Sequence, residues 1–238
     1  MKNLKNNNKL INYFFEIIVI IIGITLSFLV NEWRESSKIR SEEIIALETI
    51  LENLKTDSVN VQREISTLTT SDSLYDYFLR HVFDKNPMLD SLGKAFQAIF
   101  SYSKFTPKSI GYQQLKETGK LNIISNKDLL KNLIELHTTF SELISEQNFI
   151  DRTFTIKYLS NNLLNDFDLM AISGNYSSKL SEKRKEKIFL SGIRNRKFIN
   201  LVLFTKNIKS GEKSSYVKYS NKVKELIKEV ESELQTLR

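Results

Sequence analysis

The chain has 238 residues, 41% of them hydrophobic and 26% charged, with a formal net charge of +7 and no cysteine. The missing cysteine excludes disulfides, thiolate metal sites and a cysteine nucleophile, and the apolar share argues against a disordered chain. Seven glycines and two prolines are too few for the frequent turns of a β fold, so composition already favours an all-α protein.

Residues 1–9 form a short tail with Lys2, Lys5 and Lys9 and no acid. Residues 10–30, LINYFFEIIVIIIGITLSFLV, contain a single charge, Glu16. A helix needs about 20 largely apolar residues to cross the hydrocarbon core, so this stretch is expected to be a transmembrane helix. No A-x-A-like cleavage site follows it, which points to an uncleaved signal-anchor. The chain runs instead into Asn31, Glu32, Trp33 and Arg34, with Trp33 suited to anchor at the membrane interface.

Lys2, Lys5 and Lys9 before the span balance Arg34, Lys38 and Arg40 after it. The terminal amine tips that tie. The expected arrangement is an inner-membrane protein with its N-terminus in the cytoplasm and residues 31–238 in the periplasm.

Glu16 has two readings. It is either an interfacial carboxylate in reach of headgroups or a member of a packing face, since a charge deeper in the bilayer is costly. Glu16, Ile20, Gly23, Ser27 and Asn31 recur at spacings of three and four and so share one side of a helix. That side contains the pair Gly23-x-x-x-Ser27, small enough to let a second helix approach closely.

Beyond the span, Ile44, Leu47, Leu51, Leu54, Ser58, Val61, Ile65, Leu68, Asp72, Tyr75, Leu79 and Val82 predict a long helix with a coiled-coil-like seam. Stepping back by sevens from Ile44 reaches Gly23 and Glu16, so seam and membrane face share a heptad phase. Residues 90–101 read as a short helix. Thr106-Pro107 is the expected start of another, ending at Gly119 as its C′ residue. Ser125 opens a variant capping box with Asp128, and helical spacing then continues towards residue 165. Residues 167–180 read as a loop. A last helical region covers about 182–236, with a possible break at Ser210-Gly211 and an apolar stripe of Tyr216, Tyr219, Val223, Leu226, Ile227, Val230 and Leu234. The expected whole is an up-down helical bundle over residues 31–238.

Charge is uneven along the chain. Residues 31–178 are net −4, whereas residues 179–224 are net +11. A basic block of this kind suits a solvated helix face or an anionic partner.

The sequence contains none of the G-x-S-x-G, phosphate-loop, G-x-G-x-x-G or H-E-x-x-H motifs. Two histidines without cysteine make a transition-metal site improbable. His137 and His81 are expected to be ordinary half-buried helix residues, and Asp166-x-Asp168 lacks the extra oxygens of a calcium loop. No catalytic residue, cofactor or metal is expected. Basic and aromatic residues interleave over 193–206, but their amphipathic spacing makes nucleic acid an unfavoured partner.

The pattern Glu16-Ile17-Ile18 … Ile22-Gly23-Ile24, followed by Asn31-Glu32-Trp33-Arg34-Glu35, resembles the opening of a family of single-span membrane proteins of Bacteroidota. Members of that family carry a G-E-I-x-L-V-x-I-G-I…N-x-W-N-E-like start. Phe15 stands where that pattern has glycine, and Arg34 where it has asparagine. The region from Leu115 to Asn126 and the end from Phe198 to Leu234 are similar too. The resemblance implies an architecture rather than a reaction, and it gives weight to Glu16, Gly23, Asn31 and Trp33.

The function expected from these features is association, with the membrane lipid, another copy or a different membrane protein as partner. The alternatives are an extracytoplasmic ligand-sensing bundle that needs a partner for output, or a subunit of an ion-coupled assembly that uses Glu16.

Overall fold

The computed structural model describes residues 4–159, 161 and 180–238. The described residues are helical with no strand. Helix α1, Leu4–His81, spans 78 residues and contains one glycine and no proline, so nothing in it interrupts the hydrogen-bond ladder. Its first part is long and apolar enough to cross a membrane. Its remainder becomes the central helix of a bundle with α2 (Leu89–Ile99), α3 (Ile110–Glu117), α4 (Lys127–Glu135), α5 (Ser141–Thr153), α6 (Glu182–Ile193) and α7 (Arg196–Leu237). The π-helical turn Leu136–Phe140 joins α4 to α5, and a second, Phe154–Leu159, follows α5.

Helix α7 runs antiparallel to α1. Arg40 donates to the Leu237 carbonyl, Lys55 pairs with Glu231, Tyr219 donates to Asp57, Lys206 pairs with Asp76, and Arg194 donates to the Val82 carbonyl. Two apolar clusters lie along this pair. The one nearer the span gathers Leu47, Leu54 and Val61 with Leu129, Leu133 and Tyr219. The distal one gathers Tyr75, Phe78 and Val82 with Leu92, Ile99 and Phe198.

Half of the predicted seam is the buried one. Leu47, Leu54, Val61, Leu68, Tyr75 and Val82 are all buried. The other half is displaced by one residue: the expected series of Ile44, Leu51, Ser58, Ile65, Asp72 and Leu79 is only half-buried. The facing series is instead Glu43, Ile50, Asp57, Glu64, Ser71 and Phe78, buried except for the half-buried Glu64. Its carboxylates Glu43, Asp57 and Glu64 are held by hydrogen bonds, which is what makes their burial tolerable. Carried back by sevens, the buried seam passes through Ser36, Leu29 and Ile22 or through Arg40, Trp33 and Leu26. The Glu16–Gly23 face therefore lines up with the flank of the bundle and not with its centre.

Other boundaries differ locally. The predicted helix start at Thr106 falls at Ile110, because residues 101–109 form an extended strap whose backbone is captured by side chains of other helices. At the far end of α3 the expectation holds. Gly119 has φ 69, and Lys120 N–H reaches Leu115 O at 2.8 Å while Gly119 N–H reaches Lys116 O at 3.2 Å. This is a Schellman cap.

The cap of α4 is Asn126, which accepts from Leu129 N at 3.0 Å. Ser125 is not available for that role because its N–H and hydroxyl both go to Glu43. Helix α7 runs unbroken through Ser210-Gly211; the interruption lies at Arg194-Asn195, where Asn195 caps α7 through Lys197 N at 2.9 Å. The predicted stripe on α7 is buried from Tyr216 to Leu234 apart from the half-buried Ile227. The loop expected over 167–180 and the pair Asp166-x-Asp168 fall outside the described residues, Leu180 excepted.

Candidate functional site

Three places gather polar or functional side chains. The first is the span. From Val19 to Ser41 every residue of α1 is exposed, and bundle contacts begin with Arg40 and Glu42. Ile20, Gly23, Ser27 and Asn31 line one shallow groove together with Ile24 and Phe28, and Glu16 lies one turn before Ile20. Nothing approaches within 4 Å of a Cβ built at Gly23. The Ser27 hydroxyl donates to the Gly23 carbonyl at 2.8 Å, so the small pair leaves no free side-chain donor on this face. Trp33 is 74% exposed.

The second is a polar cluster inside the bundle. Lys209 and Asp151 are both buried, with Nζ to Oδ2 at 2.5 Å, and Glu212 lies 3.7 Å from the same ammonium. Asp151 also accepts the Ser103 N–H at 3.2 Å. Tyr216 sits over the cluster, its hydroxyl 2.7 Å from Ser103 Oγ, 2.5 Å from Asn148 Oδ1 and 3.1 Å from Glu212 Oε1. Ser103 Oγ donates to Glu64 at 3.0 Å. Burial, reinforced by nearby Asp151 and Glu64, pushes the Glu212 carboxyl up to about 7. Burial likewise raises Asp57, partly offset by the Tyr219 hydroxyl and the Lys108 N–H.

These groups have a common task. The strap has no secondary structure to satisfy its backbone, and buried peptide groups need partners. Asp151 takes Ser103 N–H, Asp57 takes Lys108 N–H at 2.9 Å, Asn53 takes Gly111 N–H at 3.2 Å, and the Asn148 amide donates to Phe105 O at 2.6 Å. Side chains of α1 and α5 thus together cradle the strap and the start of α3.

The third is a cleft of about 690 Å³ between the strap and the α4–α5 helix. Its wall of Ser141, Ser145, Asn148 and Arg152 comes from one side of that helix, and Ser103, Phe105, Thr106 and Ser109 face it. Lys104 and Arg152 supply cations at the mouth, and no carboxylate lines it. His137 also lines the cleft from the first π turn, its ring stacked on Tyr112 at 4.4 Å. Burial holds that imidazole down at about 4, so it is neutral at physiological pH. His81 pairs with Asp84 at 2.8 Å.

The sequence spacing placed Ile20, Gly23, Ser27 and Asn31 on one helix face, as the structure does, but passed over the cleft. The available signal was the polar spacing of Ser141, Ser145, Asn148 and Arg152, beside a strap lacking helical periodicity. Among the described residues no three His, Asp or Glu side chains converge as metal ligands. Comparisons with protein-family models, curated proteins and solved structures find no match.

Proposed function

We propose that this protein is a non-enzymatic, single-pass membrane anchor that works by association, packing its span against a second membrane helix from another copy or a different membrane protein. The observation that supports this most is the Gly23–Ser27 groove, exposed on a helix that continues without interruption into the bundle. Helices associate in lipid through close packing of small residues, and here the association would be transmitted directly into α1. The resemblance of the opening to a single-span family supports the anchor.

The chain lacks cysteine, so single replacements report cleanly. Gly23→Cys is expected to give a disulfide-linked dimer in native membranes, whereas Ile21→Cys, on the opposite side of the helix, is not. Monomer from both would sink self-association. A photo-crosslinker at Ser27 that captures no protein at all would remove the hetero-partner as well. We place the bundle outside the cytoplasm, and a C-terminal topology reporter active only in the cytoplasm would overturn that.

A second reading, ligand sensing by the bundle, is favoured by the acid-free cleft with its two cations. Native mass spectrometry of the purified chain is expected to show a small bound anion that is lost in Arg152→Glu. A bare parent chain counts against this reading. The third reading, ion coupling through Glu16, predicts that Glu16→Gln abolishes function while leaving the Gly23→Cys cross-link intact.

A further inference from the structure

The end of the bundle farthest from the span is built unlike the rest of the surface. Phe83 and Met88, in the turn after α1, are 65% and 68% exposed. Arg194 fastens the α6–α7 junction to this turn, donating to Val82 O at 2.7 Å and to Asp84 O at 2.8 Å. Lys85, Arg196 and Lys197 are exposed beside it. Lys183, Lys187 and Arg194 share one groove of α6 with the single acid Glu186. Two of the nearby acids are already engaged, Asp84 by His81 and Glu182 by Lys185. Asp90 and Glu186 remain against this excess of cations. Six cations, Lys85, Lys183, Lys187, Arg194, Arg196 and Lys197, therefore gather at this end of the bundle, next to two projecting apolar side chains.

The anchor fixes where that tip can reach. Between Val30 and His81 α1 is unbroken, and at about 1.5 Å per residue it rises roughly 77 Å. A span tilted by as much as about 40° still leaves the tip roughly 60 Å from its own bilayer. Charge attraction fades within about 8–10 Å at ordinary ionic strength. The tip cannot be held by the membrane that anchors it.

We infer that the distal tip is a docking surface for a second, anionic lipid bilayer, so that the protein bridges two membranes. Cations alone would suit any polyanion. Phe83 and Met88 select lipid, because apolar side chains flanked by Lys and Arg can enter the boundary between headgroups and acyl chains. They would stay in water on an acidic polysaccharide.

The test uses the full chain inserted in nanodiscs of neutral phosphatidylcholine and floated with large vesicles. Co-flotation is expected with vesicles rich in phosphatidylglycerol and not with neutral ones. Each cation near an anionic surface contributes about a fivefold factor in affinity. The triple change Lys183→Glu, Lys187→Glu and Arg196→Glu is therefore expected to weaken binding at least about a hundredfold. Phe83→Ser with Met88→Ser is expected to weaken vesicle binding about tenfold or more while leaving retention on a heparin column unchanged. All replaced positions are at the surface, and unchanged helical circular dichroism confirms folding. Failure to float with anionic vesicles, or full binding by either set of variants, would overturn the proposal. Equal loss on vesicles and heparin in the Phe83/Met88 variant would reassign the tip to a soluble polyanion and equally reject the bilayer.

Discussion

Glu212 is fully buried beside Lys209, with Asp151 and Glu64 adding negative charge to the same cluster. Its carboxyl is raised from 4.5 to about 7 by burial. A group raised in the folded state favours folding in its protonated form. Its contribution is fullest below about 4.5, declines as pH rises towards 7 and is constant above that. Glu212→Gln removes the decline. Urea unfolding of the detergent-solubilised chain is expected to show the variant gaining on the parent at about pH 8 relative to about pH 5. Lys209→Met has the opposite outcome, because it leaves buried carboxylates without their cation and is expected to cost about 3–5 kcal/mol. If Lys209→Met unfolds no more easily than the parent, the cluster is not the core feature described here.

Tyr219 and Asp57 make a smaller version of the same point. The hydroxyl at 2.6 Å is one of two donors to a carboxyl that burial already pushes up, the other being Lys108 N–H. Tyr219→Phe keeps the ring against Phe105 and removes only the donor. The expected cost is about 1–3 kcal/mol by the same unfolding measurement. A cost near zero would mean that Asp57 is satisfied by the strap alone.

At the scale of elements, what could be read from the sequence depended on whether burial was apolar. The span, α2, the end of α3 and the stripe on α7 follow from hydropathy, periodicity and one C′ glycine, signals that local physics imposes on any helix. The strap and the second half of the α1 seam do not. Glu43, Asp57, Glu64 and Ser71 look like solvent positions, and it is partners far away in sequence, the strap for Asp57 and Glu64 and Ser125 for Glu43, that make the burial of these carboxylates favourable. The expected start at Thr106 failed for the same reason: Pro107 is permissive for a first turn, but captured N–H groups at Ser103 and Lys108 hold the chain extended. The groove of Ile20, Gly23, Ser27 and Asn31 was legible as a pattern of residues. The cleft was not, since it exists only where the strap meets α5.

The closeness of α3 to α1 yields a prediction at this scale. A Cβ added at Gly111 would lie 3.0 Å from Ile50 Cγ1 and 3.1 Å from the Ile50 backbone nitrogen. Side chains can yield, but the backbone of a long central helix cannot. Gly111→Ala is therefore expected to destabilise the bundle by about 1–3 kcal/mol, despite alanine's better helix propensity. Gly93→Ala, with nothing within 4 Å of its Cβ, is the control and is expected to be neutral or stabilising. If both variants melt together, α3 does not press on α1 as closely as this geometry requires.

For the whole molecule, the decisive property is that α1 is one object. It carries the groove at one end and the distal tip at the other, and between the span and Arg40 no other helix among the described residues supports it. Any rotation of the span is then delivered to the bundle through the helix itself. Inserting two alanines between Ser36 and Ser37 turns the bundle by about 200° relative to the groove, whereas seven alanines turn it by about 700°, close to two full turns. Spin labels at Ile45, 61% exposed, read the spacing between associated copies. The two-residue insertion is expected to shift that spacing, and the seven-residue insertion to restore it, while a Gly23→Cys cross-link forms in all three proteins. If the cross-link persists but the spacing ignores the insertions, the stretch after the span is a hinge, and association in the membrane is not transmitted to the bundle. If the spacing follows helical phase, the protein behaves as a rigid post, which is also what a tip held far from its own bilayer requires.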